Sequence, residues 1–179
     1  MKAKLAIGFL SIFLMLSCKK EAEKTETTDV KTETASPIFK VTVDVNVKKD
    51  DSFHVYYTED GSIDFTEENS IWAELKGSAN DQQVVFNFPE NTIPTQLRLD
   101  LGTNKDQEQM QIKNFKMEYA GKTFEAKGSE FFKYFVPNEL NAKVDKAQGF
   151  VTPVKAEKYY GPSFYPQEAL APEIGKLVK

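Results

Sequence analysis

The chain has 179 residues, 27 acidic against 23 basic side chains, and a formal net charge of −4 at pH 7. Nucleic acid and anionic lipid are disfavoured as general partners, because both need clustered cationic side chains and this acidic chain has one arginine, Arg98. Its one cysteine excludes an internal disulfide. The fold therefore has to be stabilised by its core, for which an aromatic content of 12% provides material.

The first 17 residues have the proportions of an export signal. Lys2 and Lys4 precede an apolar run over residues 5–16. This run is shorter than the roughly 18 residues that a transmembrane helix needs, and charged residues follow it. A membrane span and an ordinary secreted protein with a stray cysteine are the alternatives. We expect a cleaved signal peptide over residues 1–17, whose removal leaves 21 basic and 27 acidic residues and a net charge of −6.

The end of the apolar run, Leu16-Ser17-Cys18, resembles the cleavage box of bacterial lipoproteins, in which the cysteine is acylated and becomes the new N-terminus. Met15 stands where that family usually has leucine. The resemblance implies that Cys18 carries palmitate or similar acyl chains. Since each buried methylene contributes ~0.8 kcal/mol, several chains would hold the protein firmly to a membrane.

Residues 19–36 are predicted to form a disordered tether from the lipidated Cys18, because they contain no aromatic residue and no hydrophobic period. A coil of this length reaches about 23 Å on average. The charged run Lys19-Lys20-Glu21-Ala22-Glu23 is similar to the export tags of Bacteroidota surface lipoproteins. This likeness implies the bacterial outer membrane, on its periplasmic or cell-surface face.

From Pro37 onwards apolar residues alternate with polar ones, which predicts half-buried antiparallel strands. The first five strands are expected over residues 39–47, 53–57, 71–75, 84–88 and 97–101. In a sixth, over 110–119, the apolar phase slips after Ile112, and this predicts a β-bulge near Lys113 and Asn114. A tight hairpin at Ala120-Gly121 then leads to a strand at 123–125, and residues 131–136 are the last predicted strand.

About 7–8 short strands without helical periods predict an all-β fold, an antiparallel β-sandwich over residues 37–136 with Greek-key or jelly-roll winding. Its core is expected to include Val43, Val55, Phe86, Leu99 and Met117. The strand cadence over residues 38–125, with its Leu-Arg-Leu-Asp-x-Gly box at 97–102, resembles a β-sandwich module of bacterial envelope and surface-glycan proteins.

Residues 137–179 are expected to be an irregular, partly helical extension that packs on the sandwich. Asn138 is a candidate cap for a short helix, which would present Leu140, Val144 and Ala147 and end at Gly149. Aromatic residues interrupted by prolines over 150–166 suggest a strap across the sandwich. Residues 168–178 are expected to form at most one or two helical turns.

No catalytic or metal site stands out. His54 is the only histidine and has no cysteine partner, so we interpret it as a solvated surface residue. Carboxylate pairs suited to glycoside hydrolysis require a spatial separation that a sequence does not report. The candidates for such a pair are Asp60, Asp64, Glu67, Glu68 and Asp100. The acidic loops at 49–51 and 60–64 are interpreted as solvated turns rather than calcium sites, and no cofactor is expected.

The outward face of the predicted strands suggests a binding surface. Because the neighbours of Tyr56 and Trp72 point inward, both rings should stand on the outer face, where a sugar can stack. The polar side chains expected to bond its hydroxyls are His54, Glu74, Arg98 and Asp100. The alternative is that the C-terminal strap covers Trp72. The leading hypothesis is therefore a non-catalytic, possible glycan-binding module, followed by a structural or assembly lipoprotein that contacts another envelope protein, and then by an enzyme.

Replacing Cys18 with serine should release the protein from the membrane fraction and abolish fatty-acid labelling, because serine does not accept the thioether-linked lipid. Membrane fractionation and metabolic labelling of Cys18→Ser measure both effects. Retention of Cys18→Ser in the membrane with residues 1–17 still attached would instead support a membrane-spanning segment.

Overall fold

The computed structural model describes residues 37–155 and 161–179, which form two antiparallel sheets. The expected signal segment, Cys18 and the tether lie outside these residues. The first sheet contains β1 (Lys40–Asn46), β4 (Gln82–Asn87), β6 (Met110–Tyr119), β7 (Lys122–Lys127), β9 (Ala142–Asp145) and β10 (Phe150–Pro153). The second contains β2 (Asp51–Thr58), β3 (Ser70–Leu75), β5 (Gln96–Leu101), β8 (Phe135–Pro137) and β11 (Ser163–Pro166).

The strand order is β4-β1-β6-β10-β9 in the first sheet, with β7 paired to the second half of β6, and β3-β2-β5-β11-β8 in the second. The predicted all-β sandwich is confirmed. The described residues hold eleven strands instead of about 7–8, because the chain after Pro137 adds three more. No helix within these residues has the length and hydrophobicity to span a bilayer.

The core lies between the sheets and is built from the alternating apolar residues. All five predicted core residues are at most 1% exposed, which confirms the assigned phase. The predicted bulge is also present. Asp44 pairs with Asn114 and the next residue, Val45, pairs with Ile112, so Lys113 is the extra residue. The insertion keeps both Ile112 and Phe115 in the core.

The predicted hairpin between β6 and β7 is confirmed as a two-residue turn at Ala120 and Gly121. Their φ angles are 48° and 79°, the left-handed conformation at both central positions that matches the twist of paired strands.

The predicted strand over 131–136 is wrong in its first half. Residues Gly128–Lys133 form a 3-10 helix, and only Phe135–Pro137 is strand. Strand alternation would expose one of the adjacent rings Phe131 and Phe132, whereas the helical turn buries both.

The helix expected from Asn138 to Gly149 is also wrong. Residues 142–145 form β9, which pairs with β10 and sets Val144 opposite Val151. The apolar spacing that suggested a helix was misleading, because Leu140 is 68% exposed and Ala147 is exposed as well. Pairing with a neighbouring strand satisfies the backbone of this short segment, so tertiary context overrides the local pattern.

The expected strap is in part regular structure. β10 lies between β6 and β9 in the first sheet, and β11 lies between β5 and β8 in the second. The chain ends in α1 (Leu170–Val178), a nine-residue helix slightly longer than expected. Its Leu170, Ile174 and Leu177 are buried in the core. Pro172 is tolerated because it lies in the first turn.

A buried carboxylate joins the start of β2 to the loop after β5. Asp51 is 6% exposed, so the expectation of a solvated turn is wrong for this residue. Its Oδ1 accepts the backbone N–H groups of Thr103 (2.6 Å) and Asn104 (2.9 Å), and its Oδ2 accepts the Gln107 amide at 2.8 Å. These charge-assisted bonds fix β2 and β5, the strands that carry most of the candidate site, relative to one another.

Phe86→Ala should lower the free energy of unfolding by about 3–5 kcal/mol, because a fully buried ring is replaced by a cavity. Val85→Ala is the matched control on the same strand, since Val85 is 41% exposed and should change the value by less than about 0.5 kcal/mol. Urea unfolding followed by circular dichroism measures both. A loss below about 1 kcal/mol for Phe86→Ala would contradict the core assignment.

Candidate functional site

The candidate residues lie together on the outer face of the second sheet. Strand alternation turns His54 and Tyr56 of β2 away from the core that Phe53, Val55 and Tyr57 fill. The strand register then sets His54 opposite Trp72 on β3 and opposite Asp100 on β5, and Tyr56 opposite Arg98. Glu74 follows on β3, opposite Ser52. All six candidate residues therefore share this surface, which we call the β2 outer face.

Trp72 is the exposed aromatic ring of this face. It stacks on the His54 imidazole with a centroid distance of 3.8 Å and an interplanar angle of 21°, and it is 48% exposed. The expectation that Trp72 stands in solvent is confirmed. One face of the indole is covered by His54, so the exposed area lies on the rest of the ring. Tyr56 contacts the same imidazole at 3.9 Å.

The interpretation of His54 as a solvated residue is wrong. It is 2% exposed, because the rings of Trp72 and Tyr56 cover it. Its Nε2 has no hydrogen-bond partner and lies 3.7 Å from Glu67 Oε1. Burial lowers the pKa of His54 and outweighs the opposing effect of the Glu67 and Asp100 carboxylates, so the neutral imidazole is favoured in the folded protein.

Glu67 is the residue of this face that sequence reasoning missed, since it was considered only as one of many carboxylates. It lies in a 3-10 helix, Glu67–Asn69, just before β3. Its Oε1 accepts the Trp72 indole N–H and its Oε2 accepts the Tyr56 hydroxyl, both at 3.0 Å. The Trp72 bond is the main cause that lowers the pKa of Glu67. Burial, and then the bond to Glu67, raise the pKa of Tyr56 to about 12.

Arg98 is fully engaged with its neighbours. Its Nε and Nη2 donate to Asp100 Oδ1 (2.9 Å) and Oδ2 (2.7 Å), a bidentate pair that neutralises its charge. The guanidinium also lies 4.8 Å from the ring centroids of both Tyr56 and Tyr165. Tyr165, on β11, was likewise missed, because nothing local indicates that β11 lies beside β5.

The described parts of the expected strap, residues 150–155 and 161–166, leave Trp72 48% exposed. The described part of that segment reaches the opposite end of the face, where Tyr165 contacts Arg98. The row from Trp72 through His54, Tyr56 and Arg98 to Tyr165 crosses four neighbouring strands. Trp72 forms its accessible end.

Comparison of the chain with protein-family models, with curated proteins and with solved structures finds no match. Within residues 37–155 and 161–179, no group of three or more His, Cys, Asp or Glu side chains is placed to hold a metal ion. What the β2 outer face does must therefore be inferred from its own geometry.

His54 should make the folded state less stable in mild acid. Its pKa is lowered on folding, so the unfolded chain, with a pKa near 6.5, binds the proton first as the pH falls. Stability should be fully present above about pH 6.5, fall as the pH drops from there to the folded-state pKa, and level off below it.

His54→Phe keeps a ring between Trp72 and Tyr56 but does not titrate, so it is the matched comparison. Urea unfolding at about pH 7.5 and about pH 5 should show a larger loss for the wild type than for His54→Phe. Equal losses would mean that His54 does not change its proton affinity on folding.

Proposed function

We propose that this chain is a lipid-anchored protein of the bacterial cell envelope whose β-sandwich is a non-catalytic glycan-binding module. The observation that supports the binding role is Trp72, the only tryptophan, which is 48% exposed on a structured sheet face. A large apolar ring in water is unfavourable, and one that is nevertheless presented on the surface is typical of a contact site.

The Trp72 ring is held in place before any ligand arrives. His54 stacks on one side, and Glu67 accepts the indole N–H at 3.0 Å. A ring that is already fixed loses little conformational freedom on binding, which favours affinity. The apolar C–H face of a sugar ring matches the remaining area of such an indole.

Polar groups that could bond sugar hydroxyls surround the ring. The carboxylates of Glu67 and Glu74 are exposed, and each has acceptor capacity beyond the bonds it already makes. Arg98 and Asp100 are largely satisfied by each other, so we assign them a structural role in supporting Tyr56.

The absence of catalysis is part of the proposal. A glycosidase needs a carboxylic acid with a raised pKa to protonate the leaving group. Glu67 has a lowered pKa, so it is not suited to that role. Both oxygens of Asp100 are occupied by hydrogen bonds from Arg98.

The proposed anchor is the lipid on Cys18, which would attach the sandwich to the outer membrane through the tether of residues 19–36. The membrane would be contacted through this N-terminal lipid alone, and nucleic acid is not a proposed partner, because the mature chain has a net charge of −6.

A second candidate function is contact with another envelope protein. It is favoured by two exposed apolar residues where the edges of the two sheets meet, Val136 at 44% and Leu140 at 68% exposure. This role would use β8 and the loop to β9 instead of the β2 outer face. Cross-linking in cells from a probe at Leu140 would identify such a partner.

Trp72→Ala should weaken glycan binding by at least about tenfold, because truncating a central aromatic contact usually costs about 2 kcal/mol or more. The full-length protein in detergent is screened against envelope and dietary polysaccharides by isothermal titration calorimetry. Tryptophan fluorescence of the wild type should shift on binding, since Trp72 is its only source.

Val85→Ala removes an exposed apolar side chain from the first sheet and should leave the affinity unchanged. Thermal unfolding of Trp72→Ala checks that the exposure of His54 has not unfolded the domain. Binding that survives Trp72→Ala undiminished would shift the assignment to the protein-contact role.

A further inference from the structure

Two carboxylates flank the exposed part of Trp72. Glu67 bonds its indole N–H, and Glu74 lies two residues further along β3 on the same face. Glu74 accepts a hydrogen bond from the Ser52 hydroxyl at 2.8 Å. The Glu67 side chain is 65% exposed, and Glu74 is exposed as well.

The cations nearest to these carboxylates in sequence and register are already engaged. Arg98 is bound in two places by Asp100. Lys76, the residue after β3, bonds Asp50 at 2.7 Å and is attracted more weakly by Glu74. Glu67 and Glu74 therefore add two exposed carboxylates to the surroundings of Trp72, while Arg98 and Lys76 are bound mainly to Asp100 and Asp50.

A second observation points to the same place. His54 is 2% exposed, and its Nε2 has no hydrogen-bond partner. The nitrogen lies 3.7 Å from Glu67 Oε1, just beyond hydrogen-bond length. Buried polar groups are nearly always partnered, so this nitrogen shows that the polar groups beside Glu67 do not fully satisfy one another within the described residues.

The chemistry of such a site favours a positive charge. An ammonium group near Trp72 is attracted by the negative face of the indole and by both carboxylates. An acidic sugar is repelled by the same two carboxylates. An uncharged sugar gains only the stacking and the hydrogen bonds.

We propose that the β2 outer face selects its glycan by charge, binding sugars with free amino groups in preference to N-acetylated or acidic ones. This inference rests on the proposed glycan-binding function, and it assigns the selection to Glu67 and Glu74.

The test uses three oligosaccharides of equal length, a glucosamine hexamer, an N-acetylglucosamine hexamer and a galacturonic acid hexamer. Titration calorimetry of the full-length protein in detergent at about pH 6, where sugar amines are protonated, gives the three affinities. We expect the glucosamine hexamer to bind at least about tenfold more tightly than its N-acetylated counterpart, and the acidic hexamer to bind most weakly. Raising the salt from about 50 mM to about 500 mM should reduce the preference, because exposed charges are screened.

Glu74→Gln removes one of the two charges without changing the size of the side chain. It should reduce the preference for the glucosamine hexamer over the N-acetylglucosamine hexamer several-fold. Glu125→Gln is the control of equal charge change on β7 of the other sheet, and it should leave the ratio unchanged. Trp72→Ala should weaken binding of the glucosamine hexamer at least about tenfold, which separates the site from non-specific attraction to an acidic protein.

Equal affinities for the three hexamers, or tighter binding of the N-acetylated or acidic one, would overturn charge selection. The glycan-binding role would still stand if Trp72→Ala abolished binding of the hexamers. Binding of the glucosamine hexamer that is unaffected by Trp72→Ala would also overturn the inference. Failure of all three hexamers to bind would also overturn charge selection. The polysaccharide screen with Trp72→Ala tests the glycan-binding function independently of that result.

Discussion

The pleat of β2 is the constraint on which the rest of this face depends. Phe53, Val55 and Tyr57 point between the sheets and fill the core. Because side chains alternate along a strand, His54 and Tyr56 must lie on the outer face. Pairing with β3 and β5 then brings Trp72 and Arg98 to the same surface. A slip of one residue in β2 would turn Tyr56 inward and remove Phe53, Val55 and Tyr57 from the core. The same strand register therefore determines both the stability of the domain and the arrangement of the site.

Much of the fold could be predicted because its local signals agree with its tertiary contacts. The slip in apolar phase around Lys113 is a bulge, and Ala120-Gly121 is a turn that its own dipeptide favours. The prediction fails where a segment is explained by a distant partner. Val144 belongs to a strand because Val151 pairs with it, and Phe131 and Phe132 adopt a helical turn because two adjacent rings have to be buried. Neither requirement can be read from the neighbouring residues.

The candidate site, like the fold, could be predicted in part from local sequence patterns. That Tyr56 and Trp72 face outward follows from alternation alone, whereas the order of β3, β2 and β5 that joins them is a property of the whole sheet. Glu67 and Tyr165 reach the site from a turn and from the far end of the chain, so no periodicity points to them. The prediction for His54 was wrong because its burial comes from two aromatic neighbours on the same sheet face, not from the core. Side chains that cover one another on a sheet surface leave no pattern in the sequence.

The position of His54 suggests that this surface is not arranged for stability alone. A phenylalanine between Tyr56 and Trp72 would offer the same stacking without an unpartnered nitrogen, which costs about 1–3 kcal/mol when it is buried. The Glu67 carboxylate makes two hydrogen bonds with the flanking rings, yet its side chain remains 65% exposed. Local features that oppose stability concentrate at functional sites. This face therefore brings together an imidazole nitrogen without a hydrogen bond, an exposed carboxylate and a half-exposed indole. A ligand explains that combination better than folding does.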